Sequence, residues 1–513
     1  MKGYKNILQI ALSLSAIFLS SISWAQEGFD QYLKHADLAR YDALGNSWIL
    51  EGNVEFDHLG NRMFCDSAIY FISKRTFKAY SKVHVSKRDT LNLFCDSIHY
   101  DLAKEYAKLY GNVRVRDREF KLTTDTLEYD ARRGAGIYRN GATITSILTN
   151  EVLTSKIGYF FPDSKNFTFS KNVVYASKDY KVTTDTLRFN GYSKQAYFYG
   201  PTDIVGNGIS MYCEKGWYSA QKEEGVLQQN AHIYQLSNYI KADSLYYNKR
   251  LGISEGKGNV VIKDTLKKAE FYGDFARSNE KEQYAFLTGK AYALTYDKGD
   301  SLFIHADSLW NFSDSSEQSK LILAYNDVKI FKKDIQGSCD SLAYNQQDSL
   351  MTLFHNPIIW ADKAQLTGDT LKVHQTTKGI EKIDVLQNAI VVTEVDSSEY
   401  YNQVGSKTMI AYFKNDTISH VDAEGNAKTV YYMTDEKNKD SIVEVTLSGM
   451  NRLYSSNLTI RFVKGEIEGI AYRDRPDGAM YPMDQIVATE KEVTGFNWQP
   501  ILRPKSWEEM ILD

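Results

Sequence analysis

Apolar and polar positions alternate along this chain in short runs, and one run of eight residues keeps returning. It reads Met63-Phe64-Cys65-Asp66-Ser67-Ala68-Ile69-Tyr70, then Leu93-Phe94-Cys95-Asp96-Ser97-Ile98-His99-Tyr100, then Leu122-Thr123-Thr124-Asp125-Thr126-Leu127-Glu128-Tyr129. The octad returns around Asp185, Asp243, Asp307, Asp340 and Asp369, and all eight aspartates precede Ser or Thr. Degenerate copies stand at Lys156, Glu214, Asp274 and Lys407, so that successive copies from 66 to 369 are 29 to 33 residues apart. A fixed period of this length marks a repeat architecture, in which each unit buries its apolar face only against its neighbours.

Strand side chains alternate between two faces, so parity within the octad carries information. Counted from the aspartate, position −1 is small (Cys65, Thr124, Ala242, Gly368) and −3 is apolar (Leu93, Leu122, Val182). Positions +2 and +4 are also apolar or aromatic (Leu127 and Tyr129, Leu187 and Phe189, Leu245 and Tyr247, Leu342 and Tyr344), with the opposite parity. A flat strand does not switch its apolar face. The pattern therefore predicts a bulge or corner at Asp-Ser/Thr, where the strand bends from one sheet into another and the carboxylate accepts hydrogen bonds from local backbone N–H groups. Asp66, Asp96, Asp125, Asp185, Asp243, Asp307, Asp340 and Asp369 are the expected corner residues.

Midway between octads lies a second element: Gly52-Asn53-Val54, Gly111-Asn112-Val113, Gly141-Ala142-Thr143, Asn172-Val173, Gly258-Asn259-Val260, Asn326-Asp327-Val328, Asn388-Ala389-Ile390 and Gly425-Asn426-Ala427. Gly and Asn tolerate positive φ, so each marks a turn or bulge leading into a short strand. Polar turns such as Asn248-Lys249-Arg250-Leu251-Gly252 follow the octads. One repeat reads strand, turn, strand, turn. About a dozen of them make an all-β scaffold of V-shaped rungs. At about 4.8 Å per strand that scaffold is on the order of 60–120 Å long.

Composition supports strands over helices: Tyr reaches 36 and Phe 24, while Pro is scarce at 7. A net charge of −4 from 61 basic and 65 acidic residues, with no long block of one sign, gives no nucleic-acid surface. At the start, an apolar run from Ile7 to Leu19 ends in Ser23-Trp24-Ala25, which reads as a secretory signal peptide over residues 1–25.

Catalytic patterns do not emerge. The nearest approach to a dinucleotide fingerprint, Gly256-Lys257-Gly258-Asn259-Val260-Val261, lacks its third glycine and falls in a repeat turn. His84, His99, His232, His305 and His374 lie in expected strands without metal-like spacing. An aspartate recurring eight times at one position reads as a structural corner rather than a catalytic acid. Four cysteines in an exported chain suggest disulfides, yet Cys65, Cys95, Cys213 and Cys339 all occupy the small −1 position. Of these only Cys65 and Cys95, in consecutive rungs, could come close enough to pair, and the reading favours small core filler for all four.

The run Gly52-Asn53-Val54-Glu55-Phe56, Arg62–Tyr70 and Phe77-Lys78-Ala79-Tyr80, together with Phe120–Tyr129 and Gly141-Ala142-Thr143-Ile144, resembles the OstA/LptA-like family of lipopolysaccharide-transport proteins. The resemblance covers roughly residues 40 to 430. It implies an open, folded-over β-jellyroll whose groove shields the acyl chains of lipopolysaccharide or a similar amphiphile in the periplasm. It further implies no enzymatic activity, no cofactor, and end-to-end docking with related jellyroll domains of inner- and outer-membrane transport components. Val113, Val115, Leu127, Leu187, Leu245, Val260, Ile262 and Leu342 are the groove candidates. The expected organisation is a repeat region over 26–430, in one or several modules, and a tail over 431–513 that caps the last sheet edge or docks a partner. A ligand-free structural or adhesive β-solenoid is the rival reading. It requires a closed, well-packed interior.

Overall fold

The computed structural model describes residues 32–512 apart from 59–60, 88–90, 117, 119, 131, 162–163, 165, 220, 298–299, 314–318, 377–378, 397–398, 415–416, 440–441 and 464–465. The expected signal peptide over residues 1–25 lies outside the described residues. Among those described, thirty-four strands are accompanied by three single 3-10 turns and one short helix, Glu509–Leu512. The chain divides into two units, residues 1–254 and 255–513.

In the first unit each octad forms the middle of one long strand, and the neighbouring Gly-Asn element forms the middle of the next. Leu91–Asp101, Tyr106–Arg116 and Phe120–Asp130 pair antiparallel in this way. Register holds from Tyr106↔Asp130 to Tyr110↔Thr126, then resumes at Val113↔Thr124, so Gly111 and Asn112 oppose Asp125 alone. Two residues against one is a β-bulge, which bends its strand sharply. Both bulged residues are left-handed, with φ of 73° at Gly111 and 46° at Asn112. Ser81 and Lys82 do the same opposite Asp66 and Asp96 without any glycine or asparagine. Most of these elements are thus bulges inside continuous strands, Gly141 instead lying between two short strands, Ala135–Tyr138 and Ala142–Ser146.

At several corners the aspartate accepts from a side chain of the adjoining strand, while Asp185 and Asp340 accept from the hydroxyl of the residue that follows them. Asn112 Nδ2 donates to Asp96 at 2.9 Å, and Asn53 Nδ2 donates to Asp37, an aspartate outside the octad series, at the same distance. Ser81 Oγ donates to Asp66 at 2.6 Å, and Asn388 Nδ2 to Asp369 at 3.0 Å. Ser81 holds the Asp66 carboxyl below its ordinary range. At the degenerate copy Glu214, Asn230 Nδ2 donates at 2.7 Å, so glutamate preserves the contact. A Cβ at Gly111 would lie 2.1 Å from Asp96 Oδ2, and one at Gly52 2.2 Å from Asp37 Oδ2. Glycine is demanded there twice, by φ and by the packed carboxylate.

Burial follows the bend. In Lys181–Asn190 the buried residues are Val182 and Thr184 before the corner, then Leu187 and Phe189 after it, while Asp185 and Thr186 face outward. Each strand therefore contributes its first half to one wall and its second half to another. The walls separate visibly where Phe120–Asp130 pairs with two short strands at once, Ala142–Ser146 along its first half and Ala135–Tyr138 along its second. Both walls rejoin on Asn166–Ala176. The second unit repeats this device around Ile335–Asn345, with Ile358–Ala361 on one half and Leu350–Phe354 on the other. The wall containing positions −1 and −3 is called the leading wall here, and that containing +2 and +4 the trailing wall.

Inward side chains of the two walls meet. Phe56 of the leading wall and Phe77 of the trailing wall pack edge to face with centroids 5.0 Å apart, and Tyr138 Oη lies 2.5 Å from Ser155 Oγ. One contiguous apolar core runs from Leu50 to Ile204 in the first unit. Each fully buried Leu, Val or Phe in it contributes about 1.5–3 kcal/mol, which makes the core the main source of stability.

Replacing Gly111 by Ala should destabilise the chain by about 1–3 kcal/mol, because a strained φ and a clash with Asp96 add together. Gly141→Ala, also at positive φ but with no atom within 4 Å of the new Cβ, should cost less. Denaturant unfolding of the two variants checks the ranking. Equal losses would show that Asp96 imposes no steric demand.

Candidate functional site

Inward positions are not packed equally along the chain. Up to Ile204 the first unit fills most of them with Leu, Val and Phe that are almost wholly buried, Val113, Val115, Leu127 and Leu187 being each at most 1% exposed, while Met63, Tyr70, Val85 and Tyr100 are partly buried. In its last strands, Ile209–Ser219, Glu224–Gln235 and Asn238–Asn248, the same positions carry Met211, Tyr218, Leu227, Ile233, Ile240 and Tyr247, all half-exposed. Only the corner fillers Cys213, Ala231 and Ala242, together with Gly216 and Leu245, are buried there. Gly216 stands at +2, where other repeats have Leu127 or Leu187, and Gly225 faces inward between Tyr218 and Tyr247.

The second unit begins in the same condition. Ile262, Phe271, Ile304 and Ile322 face inward and are partly buried, whereas the corner residues Val260, Ala291, Ala306 and Val328 and the trailing-wall residues Ala276, Leu287 and Leu309 are buried. Leu342, farther along, is again buried at 2%. The eight groove candidates therefore fall in different surroundings. Four lie in closed core in the first unit, Leu245, Val260 and Leu342 are buried beside corners, and Ile262 lines open space.

The tail of the second unit does something the sequence pattern does not show. From Met483 onward it crosses the outer face of the leading wall, opposite the face carrying positions −1 and −3. Its main chain is received by a row of glutamines at position −4 of successive octad strands. Gln403 Nε2 donates to Lys491 O at 2.9 Å and its Oε1 accepts from Val493 N at 2.9 Å. Gln365 donates to Asn497 O at 2.6 Å and accepts from Gln499 N at 2.8 Å, and Gln336 Oε1 accepts from Arg503 Nε at 2.7 Å. All three glutamines are buried. Val493 packs on Ile390, Val392, Val430, Tyr432 and Met450. Trp507 stacks on Phe303 with centroids 5.0 Å apart and planes within 6°. The tail is thus a strap over a sheet face, neither capping an edge nor standing free.

Several histidines among the described residues sit against rings and carboxylates. His84 is stacked between Phe64 and Phe94, His232 on Tyr212, and His374 Nε2 lies 2.7 Å from Asp384. No group of three or more His, Cys, Asp and Glu among the described residues is arranged to hold a metal ion. No helix among them is long and apolar enough to cross a membrane. Cys65, Cys95, Cys213 and Cys339 are free, buried thiols. Burial pushes the Cys65, Cys95 and Cys339 thiols up to about 12 and Cys213 to about 11.

Residues 30–185 match the family model described as OstA-like protein. The octad period continues beyond that match with altered residues, such as Glu214 for Asp and Gln229-Asn230 for Gly-Asn. No curated protein matches the chain. Among solved structures it is similar to LptH, described as the LptA homologous periplasmic component of the conserved lipopolysaccharide transport device from Pseudomonas aeruginosa. The identity is 14%, the TM-score 0.20, and the match covers 23% of this chain and 81% of that one.

The raised thiol pKa values fix a pH dependence. Between the ordinary value of 9.0 and about 12 the unfolded chain loses thiol protons that the folded chain keeps. Stability should therefore fall as pH rises above 9 and be insensitive to these groups below it. Native protein at pH 8 should resist alkylation until denaturant is added, and rapid labelling of all four thiols in the folded state would refute their burial. For the strap, Trp507→Ala should open the segment after Met483 to limited proteolysis while leaving residues 32–482 protected. An unchanged digestion pattern would show that the Phe303 stack does not anchor it.

Proposed function

We propose that this chain is a non-catalytic, lipid-shielding scaffold of the periplasm, holding the acyl chains of lipopolysaccharide or a similar amphiphile between its two walls. The observation that carries the reading is the change in interior packing. Inward positions are mostly buried as far as Ile204, whereas Met211, Tyr218, Leu227, Ile233, Ile240 and Tyr247, and in the second unit Ile262, Phe271, Ile304 and Ile322, are apolar and only partly buried. Exposed apolar surface of that extent on a folded chain marks a binding site. Each methylene moved from water onto it yields about 0.8 kcal/mol, so several acyl chains are held without a charged pocket. The OstA-like match over residues 30–185 supports the same class of function. On this reading the partners are related jellyroll domains of inner- and outer-membrane components, met end to end.

The packed stretch containing Val113, Val115, Leu127 and Leu187 serves as the closed part of the first unit, and Ile262 lines the partly open interior of the second. A ligand-free scaffold would bury its inward residues throughout as fully as Val113 and Leu187 are buried.

A photo-crosslinking residue at Leu227, Ile240, Phe271 or Ile304 in cells should capture lipid. The same probe at Leu127 or Leu187, or at the turn residue Lys249, should not. Ile240→Asp should reduce capture at Leu227 by placing an unpaired charge on the lipid path. Equal labelling of all positions, or none at the inward set with the fold intact, would replace this reading with the ligand-free scaffold.

A further inference from the structure

The outer face of the trailing wall in the first unit carries a concentration of positive charge that the chain's net charge of −4 conceals. Lys78, His99 and Lys108 stand directly opposite one another on three adjacent strands. Three successive hairpin turns add Lys74, Lys104, Arg132 and Arg133 around the same cavity of about 800 Å³. Its lining holds six permanent cations against two carboxylates, Asp101 and Asp130.

Ion pairing in the cavity is uneven. Lys104 reaches Asp101 at 3.1 Å, Arg133 reaches Asp130 at 3.6 Å, Lys108 reaches Glu128 at 3.5 Å, and Arg132 reaches Glu105 at 3.9 Å and donates to the Ala103 carbonyl. The Lys74 and Lys78 ammonium groups instead both lie over the Phe71 ring, 5.8 and 5.7 Å from its centroid. Two cations drawn to one ring face a mutual repulsion that a cation–π contact only partly offsets. Burial and then Lys78 hold the His99 imidazole below its ordinary pKa, between the rings of Tyr80 and Tyr110.

We propose that this cavity binds clustered phosphate groups, as a polyphosphorylated ligand presents them, with Lys74 and Lys78 as the principal anchors and Arg132 and Arg133 closing the rim. Guanidinium forks and ammonium groups converging from three turns suit several phosphate oxygens at once. The site lies on the outer face and is independent of the lipid path, so either proposal can fail alone.

Calorimetry of the full chain with inorganic tripolyphosphate should show saturable binding that weakens with salt. The double variant Lys74→Gln/Lys78→Gln should bind about tenfold more weakly, following the loss of two of six cations. Lys78→Arg should retain binding, and the distant control Lys249→Gln should stay within about twofold of the parent, since screening confines the effect to nearby charges. In NMR the His99 pKa should rise on adding tripolyphosphate, because an anion favours the imidazolium flanked by Lys78 and Lys108. Vesicles of phosphatidylcholine with phosphatidic acid distinguish the sources. Retention that tripolyphosphate reverses would assign the phosphate groups to a lipid headgroup, and tripolyphosphate binding without retention would assign them to a free compound. Unaltered tripolyphosphate affinity in the double variant, an equal loss in the Lys249 control, or binding to neither probe would overturn the proposal.

Discussion

Everything in this fold depends on a mismatch of one residue. At corners such as Gly111-Asn112 two left-handed residues on one strand oppose a single aspartate on its neighbour, and the strands cannot remain flat across that difference. Bulges of this kind are usually isolated features of a sheet. Repeated on every second strand at one position, they line up into a crease, and the sheet folds along it into two walls. The carboxylate keeps the crease in register by accepting from the Asn or Ser of the adjoining strand. The small −1 residue lets the inner side of the bend close.

Once the crease exists, the inside is determined by strand alternation alone. Positions −3, −1, +2 and +4 all face the same space, and their volume decides whether that space is filled. The first unit fills it up to Ile204, where Phe167, Phe169, Phe189 and Phe198 are buried side by side. With Gly216 and Gly225 in the same structural roles, the crease persists but Met211, Tyr218 and Leu227 are only partly buried. One backbone repeat therefore yields both a packed core and an open lining. The difference between them is a matter of side-chain volume and not of topology.

This division explains what was legible in the sequence. The octad period, the bend at Asp and the two-strand repeat follow from short-range patterns, and the structure has each of them. Corners at Ser81-Lys82, Gln229-Asn230 and His355-Asn356 were less visible, because neighbouring strands impose positive φ on residues that do not favour it alone. The distinction between sealed and open interior was missed because Leu127 and Leu227 look alike in a pattern of apolar positions. Their exposure depends on what faces them from the other wall. The strap was also illegible. Gln336, Gln365 and Gln403 read as ordinary surface polar residues at outward positions, and only an aperiodic segment more than eighty residues away in sequence buries them.

The glutamines show why a face-crossing strap is possible on such a scaffold. A strand at right angles to the sheet cannot pair with it, so the backbone groups of a crossing segment need side-chain partners. A primary amide supplies a donor and an acceptor together. Placed at the same octad position on successive strands, it offers the crossing chain both groups at regular steps, as Gln365 does to Asn497 and Gln499. The same repetition that aligns the corners thus aligns the glutamines, and Ile390, Val392 and Val430 between them supply the apolar contact that amides lack. A repeat fold of this kind can carry different chemistry on its two surfaces, since inward positions answer to the opposite wall and outward positions only to whatever lies across them.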